Sequence, residues 1–257
     1  MKQLLTVIIP CYNESENLNR GVLNEVSTYL DKHHPSYEVI ISDDASTDNS
    51  RELTQTFIKT HPKFQLLTNP HGGKSFALKH GLEQAKGEHV LFTDMDQSTP
   101  ISELKKLLLA SEDGYQIVIG SRGHGRKNFP LYRKFASGAF RVFRKSLLLH
   151  DIEDTQCGFK LADTHAAKHL FASMTIFHQT DSAKGWTVTA WDVEFLFLAE
   201  KFGYRIKEVR VEWSDKDETT TKNRGGGKFL KESFDMLKQV TRVKLNNITG
   251  KYESKSQ

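Results

Sequence analysis

Apolar runs punctuate the first half of the chain at Leu4–Pro10, Tyr37–Ser42, Phe64–Leu67, Glu88–Thr93 and Gln116–Ile119. Each is followed by polar turn residues and then by a longer stretch whose apolar side chains fall at helical spacing. Strands that alternate with helices predict right-handed crossovers and an α/β fold, a mostly parallel sheet with helices on both faces. Ligands of such sheets gather beyond the carboxyl ends of the strands, so the polar residues after each run are the ones that carry chemistry. Further on, Ile206–Trp213 predicts a late strand, and residues 214–227 a mobile loop over the site. Phe229, Phe234, Leu237 and Val240 give residues 229–243 helical spacing. Residues 246–257 read as a polar, frayed tail. No repeat or linker divides the chain, which predicts one domain over residues 1–245.

The fourth run leads into Asp94-Met95-Asp96. In an extended strand, side chains two apart point to one side, so these carboxylates are expected to project together from the strand's end. Paired in that way they suit Mg2+ or Mn2+, which complete their shells with water and substrate phosphates and so imply a phosphorylated ligand. Chance occurrence of so short a motif is the plain alternative. After the second run comes Asp43-Asp44-Ala45-Ser46-Thr47-Asp48. Ser46 or Thr47 is expected to cap the next helix, with Asp48 in its first turn. Capping leaves Asp43 and Asp44 unexplained, where a carboxylate is placed to accept from a nucleobase N–H. Asn69-Pro70-His71-Gly72-Gly73-Lys74-Ser75 precedes another helix. Its glycines let backbone amides approach a phosphate and Lys74 adds a cation, although a plain turn explains the same residues.

With 257 residues and 37% hydrophobic content the chain can bury a large core. Its net charge of +4 is compatible with anionic ligands, with a membrane surface or with nothing in particular and does not argue for nucleic acid, so no nucleic-acid partner is expected. Cys11 and Cys157 are far apart and lack metal-ligand spacing, which predicts no disulfide framework and a reducing cytoplasm. The stretch after Lys2 is too short for a signal peptide and runs straight into Tyr12-Asn13-Glu14. No apolar run approaches the roughly 20 residues that span a bilayer, so any membrane association is expected to be peripheral.

Val7-Ile8-Ile9-Pro10-Cys11-Tyr12-Asn13-Glu14, the Asp43–Asp48 cluster, Gly73-Lys74 and Asp94-Met95-Asp96, in this order and spacing, resemble the nucleotide-sugar half of a family 2 glycosyltransferase. Gly120-Ser121-Arg122, Asp154-Thr155-Gln156-Cys157-Gly158-Phe159-Lys160 and Trp191-Asp192-Val193-Glu194-Phe195 extend the likeness over nearly the whole chain. They are most similar to the dolichyl-phosphate glucosyltransferase and polyprenyl-phosphate glycosyltransferase branch. The resemblance implies a GT-A fold, a nucleotide-sugar donor and inversion at the anomeric carbon. It divides the domain into a nucleotide-sugar half, 1–120, and an acceptor half, 121–245. It places Pro10, Tyr12 and Asp44 on the base, Glu14, Gly73 and Lys74 along the nucleotide pocket, Asp94 against ribose and sugar, and Asp96 on the metal. Ser98 stands where the mannose-transferring relatives carry Gln, and the Q-x-x-R-W acceptor motif of many soluble members is missing. The branch suggests UDP-glucose, while GDP-mannose and UDP-N-acetylhexosamines share most of the framework.

Residues 129–149 alternate aromatic or aliphatic side chains with cations. Arg133, Lys134, Arg141, Arg144 and Lys145 fall on one side of a helix whose other side is apolar. Such a helix lies in a membrane interface or packs on its own domain, and the resemblance favours the interface. A lipid phosphate acceptor is mostly a dianion at neutral pH and needs no general base, but it needs cations. Arg122, Arg126, Arg133, Lys222 and Arg224 are the candidates, with Arg122 and Arg133 favoured as catalytic contacts. Asp154 and Gln156 are expected beside the sugar or acceptor phosphate, with a base role open for Asp154. Asp192 and Glu194 have helix-dipole stabilisation as their plain account. The leading expectation is transfer of a hexose to a polyprenyl phosphate on the cytoplasmic face of a membrane. The alternatives are the same donor chemistry with a soluble or glycan hydroxyl acceptor, and a non-catalytic nucleotide-binding protein.

Overall fold

Strand β1 (Leu5–Cys11) lies in the interior of a sheet and pairs in parallel with β2 (Tyr37–Asp43) and β4 (His89–Phe92). Val7 faces Val39 on one side and Leu91 on the other. Every residue of β1 is buried, because helices cover both faces of the sheet, and this is why the run is apolar without alternation. The structure is a computed structural model and describes residues 4–123, 149, 152–178, 191–214 and 226–253, with side chains from 237 onward in the last segment.

Among the described residues the sheet has seven strands in the order β3-β2-β1-β4-β6-β5-β7, where β3 is Phe64–Thr68, β5 Ile117–Ser121, β6 Lys160–Asp163 and β7 Ile206–Arg210. Leu5, Val7 and Ile9 pack on one face with α2 (Val22–His33) and α5 (Leu104–Glu112), through Val26, Leu30, Leu104 and Leu107. Ile8 belongs to the opposite face, with α4 (Lys74–Gln84), α6 (Thr164–Ser173), α7 (Trp191–Lys201) and α8 (Gly226–Ile248). There Leu78, Leu170, Phe195 and Val240 meet. The other α-helices among the described residues are α1 (Ser15–Asn19) and α3 (Ser50–Ile58).

The parallel α/β arrangement is the one the apolar runs predict. Strand β6 was not foreseen: it is antiparallel to both β4 and β5 and lies between them. Its four residues begin with a fully buried lysine, Lys160, and so carry no apolar run to announce a strand. The late strand stops at Arg210 rather than Trp213, and α3 starts at Ser50, uncapped by Ser46 or Thr47. The expectation of a frayed tail over residues 246–257 is corrected for its described part, which ends at residue 253. Helix α8 continues to Ile248, Asn246 and Tyr252 are buried, and Tyr252 Oη donates to Glu194 Oε1 at 2.7 Å.

The interfacial helix expected over 129–149 lies outside the described residues apart from Leu149, which is buried. Most of the loop expected over 214–227 lies outside them too. Among the described residues no helix is long and apolar enough to cross a membrane.

Candidate active site

The carboxyl ends of β1 and β2 are laced together by polar groups of their loops. Asn13, at φ 57°, accepts with Oδ1 from the Thr47 amide at 2.8 Å, and its own amide donates to Ser46 Oγ at 3.0 Å. The Glu14 amide donates to Ser50 Oγ and the Ser15 amide to Asp48 Oδ2. The Asp43–Asp48 cluster is thus largely a brace between two loops. Asp43 itself takes Arg51 Nε at 2.6 Å.

Asp44 is fully buried, and its carboxylate is engaged within the protein. Oδ1 accepts from the Gly72 amide at 2.7 Å, while Oδ2 accepts from the Gly73 amide and meets His71 Nδ1, both at 2.9 Å. The carboxylate therefore faces loop amides in this structure rather than an open base pocket. His71 in turn stacks on Tyr12, ring centroids 4.8 Å apart. Pro10 is buried within β1 opposite Ser42, and Glu14 Oε2 accepts from Asn17 Nδ2 at 2.6 Å.

Strand β4 ends at Phe92, so Asp94-Met95-Asp96 is not extended and the alternation argument does not apply to it. The chain instead turns, with the Gln97 amide donating to Asp94 O at 3.2 Å and Gln97 itself at φ 49°. Asp94 Oδ1 pairs with Lys74 Nζ. Burial works against the Lys74 ammonium, but Asp94, Asp192 and Asp96 outweigh it and raise its pKa. Asp96 accepts from the Ser98 amide and Ser98 Oγ, each at 2.8 Å. Gly158 lies against Asp94 so closely that an added Cβ would stand 2.1 Å from Oδ2.

A divalent cation is compatible with this donor set. The carboxylates of Asp94 and Asp96 are hard oxygen donors, and nearby Gln97 Oε1 is buried without a hydrogen-bond partner among the described residues. No cluster of three metal-binding acids, histidines or cysteines occurs among the described residues.

Asp154 and Arg122 form a two-pronged ion pair, Nε–Oδ2 and Nη2–Oδ1 both 2.7 Å, with the Arg122 amide adding a third bond. The guanidinium also stands 5.7 Å from the Trp213 ring centroid. Burial disfavours ionised Asp154, yet its bonds to Arg122 prevail and bring its pKa down to about 2. A carboxyl so acidic is a weak proton acceptor, and its two bonds to Arg122 suit Asp154 to orienting that guanidinium. The same pairing commits part of Arg122 that the acceptor-phosphate role had left unoccupied. Gln156 is exposed beside it, its amide directed at Asp154 Oδ1. Arg126, Arg133, Lys222 and Arg224 lie outside the described residues.

The depressed Asp154 pKa fixes the sign of a pH effect. The folded value lies below the ordinary 3.8, so the pair stabilises the protein above that pH and the contribution is lost as pH falls towards 2. Asp154→Asn is expected to lower unfolding free energy at pH 7 by about 2 kcal/mol. Denaturant titrations at neutral pH and near pH 3 should show the gap to wild type shrinking on acidification.

Residues beyond the expected set also converge here. Lys160 is fully buried, donates to Cys157 O and pairs at 2.6 Å with Asp192 Oδ1. Asp192, partly exposed, acts electrostatically on both Lys74 and Arg122. Its position in a helix's first turn hid this, since the dipole alone accounts for an acid there. Arg20, from the corner after α1, donates to Asp96 O at 2.6 Å and had no sequence signal.

Comparison with known proteins matches residues 6–171 to the model of glycosyl transferase family 2. A dolichyl-phosphate beta-glucosyltransferase of Trichomonas vaginalis is 31% identical over 90% of this chain and 69% of its own length. One from Dictyostelium discoideum is 29% identical over 98% of this chain and 77% of its own. Among solved structures, glucosyl-3-phosphoglycerate synthase from Mycobacterium tuberculosis, in complex with Mn2+, UDP and phosphoglyceric acid, is similar with TM-score 0.61. It shares 17% identity, with 94% of this chain and 78% of that one covered.

Proposed function

The chain belongs to glycosyl transferase family 2, and from that premise we propose that it transfers a glucosyl group from UDP-glucose to a polyprenyl phosphate. The reaction inverts the anomeric carbon, uses Mg2+ or Mn2+, and takes place on a peripheral protein at the cytoplasmic face of a membrane. The relatives named as dolichyl-phosphate beta-glucosyltransferases support the sugar and the lipid acceptor, and the neighbour holding Mn2+ and UDP supports the cation and the base.

The observation that carries the reading is the pair of cation-bearing clusters, Lys74–Asp94 and Arg122–Asp154, whose two cations both feel the Asp192 charge. Transfer between a diphosphate and a phosphate brings two anions together, so cations on both sides are what the chemistry requires. An oxygen of the acceptor phosphate attacks the anomeric carbon, the bond to the UDP oxygen breaks, and UDP departs with that electron pair. With a second pKa near 6 the acceptor is already ionised at neutral pH, and no residue has to remove a proton. Asp154, with its carboxyl at about 2, then acts by orienting Arg122.

Pro10, Tyr12 and Asp44 are assigned to the base, Glu14, Gly73 and Lys74 to the rest of the nucleotide, and Asp94 and Gln156 to the sugar. A base N–H that bonds Asp44 directly exchanges for one of the Gly72 and Gly73 amides. Asp96 and Asp94 would hold the cation, which when bound supplies positive charge to the departing diphosphate. Arg122 and Arg133 are assigned to the acceptor phosphate, and the helix expected over 129–149 to the lipid surface.

One observation favours a second reading. Asp192 is a partly exposed carboxylate, paired with Lys160 and acting electrostatically on Lys74, and a hydroxyl acceptor needs a carboxylate near the donor as general base. Labelled UDP-glucose and GDP-mannose, offered with polyprenyl phosphate in vesicles or with free sugars, separate the two. The expected result is a glucosylated lipid, formed from UDP-glucose and abolished by EDTA. Label found only in the free sugars, or turnover that survives the chelator, overturns the proposal.

A further inference from the structure

We infer that Arg20 is a positioning residue for the cation-binding turn, acting through the backbone of Asp96; the inference rests on the metal role proposed above for Asp96. Arg20 Nη2 donates to Asp96 O at 2.6 Å across 76 positions of sequence. A guanidinium on a carbonyl makes a charge-assisted bond, stronger than an amide would.

The turn has reason to need such a hold. Gln97, the residue after Asp96, sits at φ 49°, a conformation that residues with side chains rarely adopt. The peptide linking Asp96 to Gln97 is the one whose oxygen Arg20 grips. Its orientation sets the direction in which the Asp96 side chain leaves the backbone, while the Ser98 amide and hydroxyl, at 2.8 Å each, fix the carboxylate's rotation. Ser98 O is itself held by the Ser214 amide at 2.9 Å. Arg20 therefore completes a set of ties that aims one carboxylate.

The anchor on the other side is firm. Arg20 closes α1, its amide donating to Glu16 O at 3.0 Å, and the left-handed Gly21 at φ 87° turns the chain into α2. The start of α1 is pinned by Asp48 from the loop after β2 and by Ser50 at the start of α3, and buried Asn17 links α1 to Glu14. One short helix thus joins the loop assigned to the nucleotide base to the turn assigned to the cation. A residue outside the ligand shell that orients a ligand is worth tenfold to a hundredfold in metal affinity.

The test compares Arg20→Met, which keeps the aliphatic stem, with Arg20→Lys, which keeps a donor. Mn2+ binding is measured by electron paramagnetic resonance, UDP binding by calorimetry in EDTA, and amide hydrogen exchange over residues 94–99 by mass spectrometry. R20M is expected to bind Mn2+ ten- to a hundredfold more weakly, to exchange the Gln97 and Ser98 amides faster, and to bind UDP in EDTA as wild type does. R20K should fall between the two. Unchanged Mn2+ affinity in R20M overturns the inference. So does tighter binding, since loss of a neighbouring positive charge would then be the whole effect. If R20M does not fold, R20K decides: affinity at least threefold weaker supports the role, and wild-type affinity overturns it. If the wild-type protein binds no Mn2+, the metal reading fails instead, and unchanged exchange at Ser98 in the variant is then what refutes the hold by Arg20.

Discussion

Gly158→Ala is expected to lower turnover at least a hundredfold while the fold stays assembled. An alanine Cβ at this position would lie 2.1 Å from Asp94 Oδ2, 2.7 Å from its Cγ and 2.9 Å from Oδ1, all well inside contact distance. Either the 157–160 turn or the Asp94 carboxylate has to move. The carboxylate is the softer of the two, because the Asp94 side chain is 38% exposed whereas Cys157, Phe159 and Lys160 are buried. Asp94 then swings away from Lys74, and the charged cluster assigned to the donor is displaced. A shift of about 1 Å in such a group can cost a hundredfold in rate. The check is kcat with saturating donor, alongside a melting curve expected to stay close to wild type. Gly87→Ala serves as the contrast. Its Cβ would meet backbone, Thr6 N at 2.5 Å and Leu4 O at 2.7 Å, so the damage there should appear in stability instead.

Glu194→Ala should be the most destabilising single change among the groups described, at about 3–5 kcal/mol. The carboxylate is fully buried and satisfies four donors. Oε1 accepts from the Thr175 amide at 2.7 Å, Thr175 Oγ1 at 2.6 Å and Tyr252 Oη at 2.7 Å, and Oε2 from Arg242 Nη2 at 3.0 Å. Removing it strands a guanidinium and several donors in a poorly solvated place, which is far worse than never having built the group. Burial, followed by the Glu194 charge, pushes the Tyr252 hydroxyl up to about 12, so the tyrosine stays a donor at any physiological pH. For a chain of this size the loss corresponds to roughly 10 °C in melting temperature. Tyr252→Phe, which removes one donor and leaves the carboxylate paired, should cost only about 1 kcal/mol. Equal effects from the two changes would show that the carboxylate is not the hub of this cluster.

That cluster also shows where local reading stops. Glu194 in the first turn of α7 is adequately explained by the helix dipole, and residues 246–253 look like a polar end. Only the fold brings Thr175, Arg242 and Tyr252 onto the same carboxylate, from partners 19, 48 and 58 positions away.

What the sequence determined by itself was the parallel part of the sheet and the order of the motifs at its carboxyl edge. Burial on both faces writes strands β1, β2 and β4 as largely apolar runs without strict alternation, and the side chains that follow them in sequence stay near the strand ends in space. Tertiary structure decided everything that depended on which group meets which. It inserted Lys160–Asp163 as an antiparallel strand, turned Asp94-Met95-Asp96 out of the extended form and closed Gly158 onto Asp94. It also gave Asp44 to the Gly72 and Gly73 amides, and Asp154 to Arg122. Periodicity is a property of neighbouring residues and can be read along the chain. A charged group's partner is set by distances between elements far apart in sequence, and those exist only after the chain has folded.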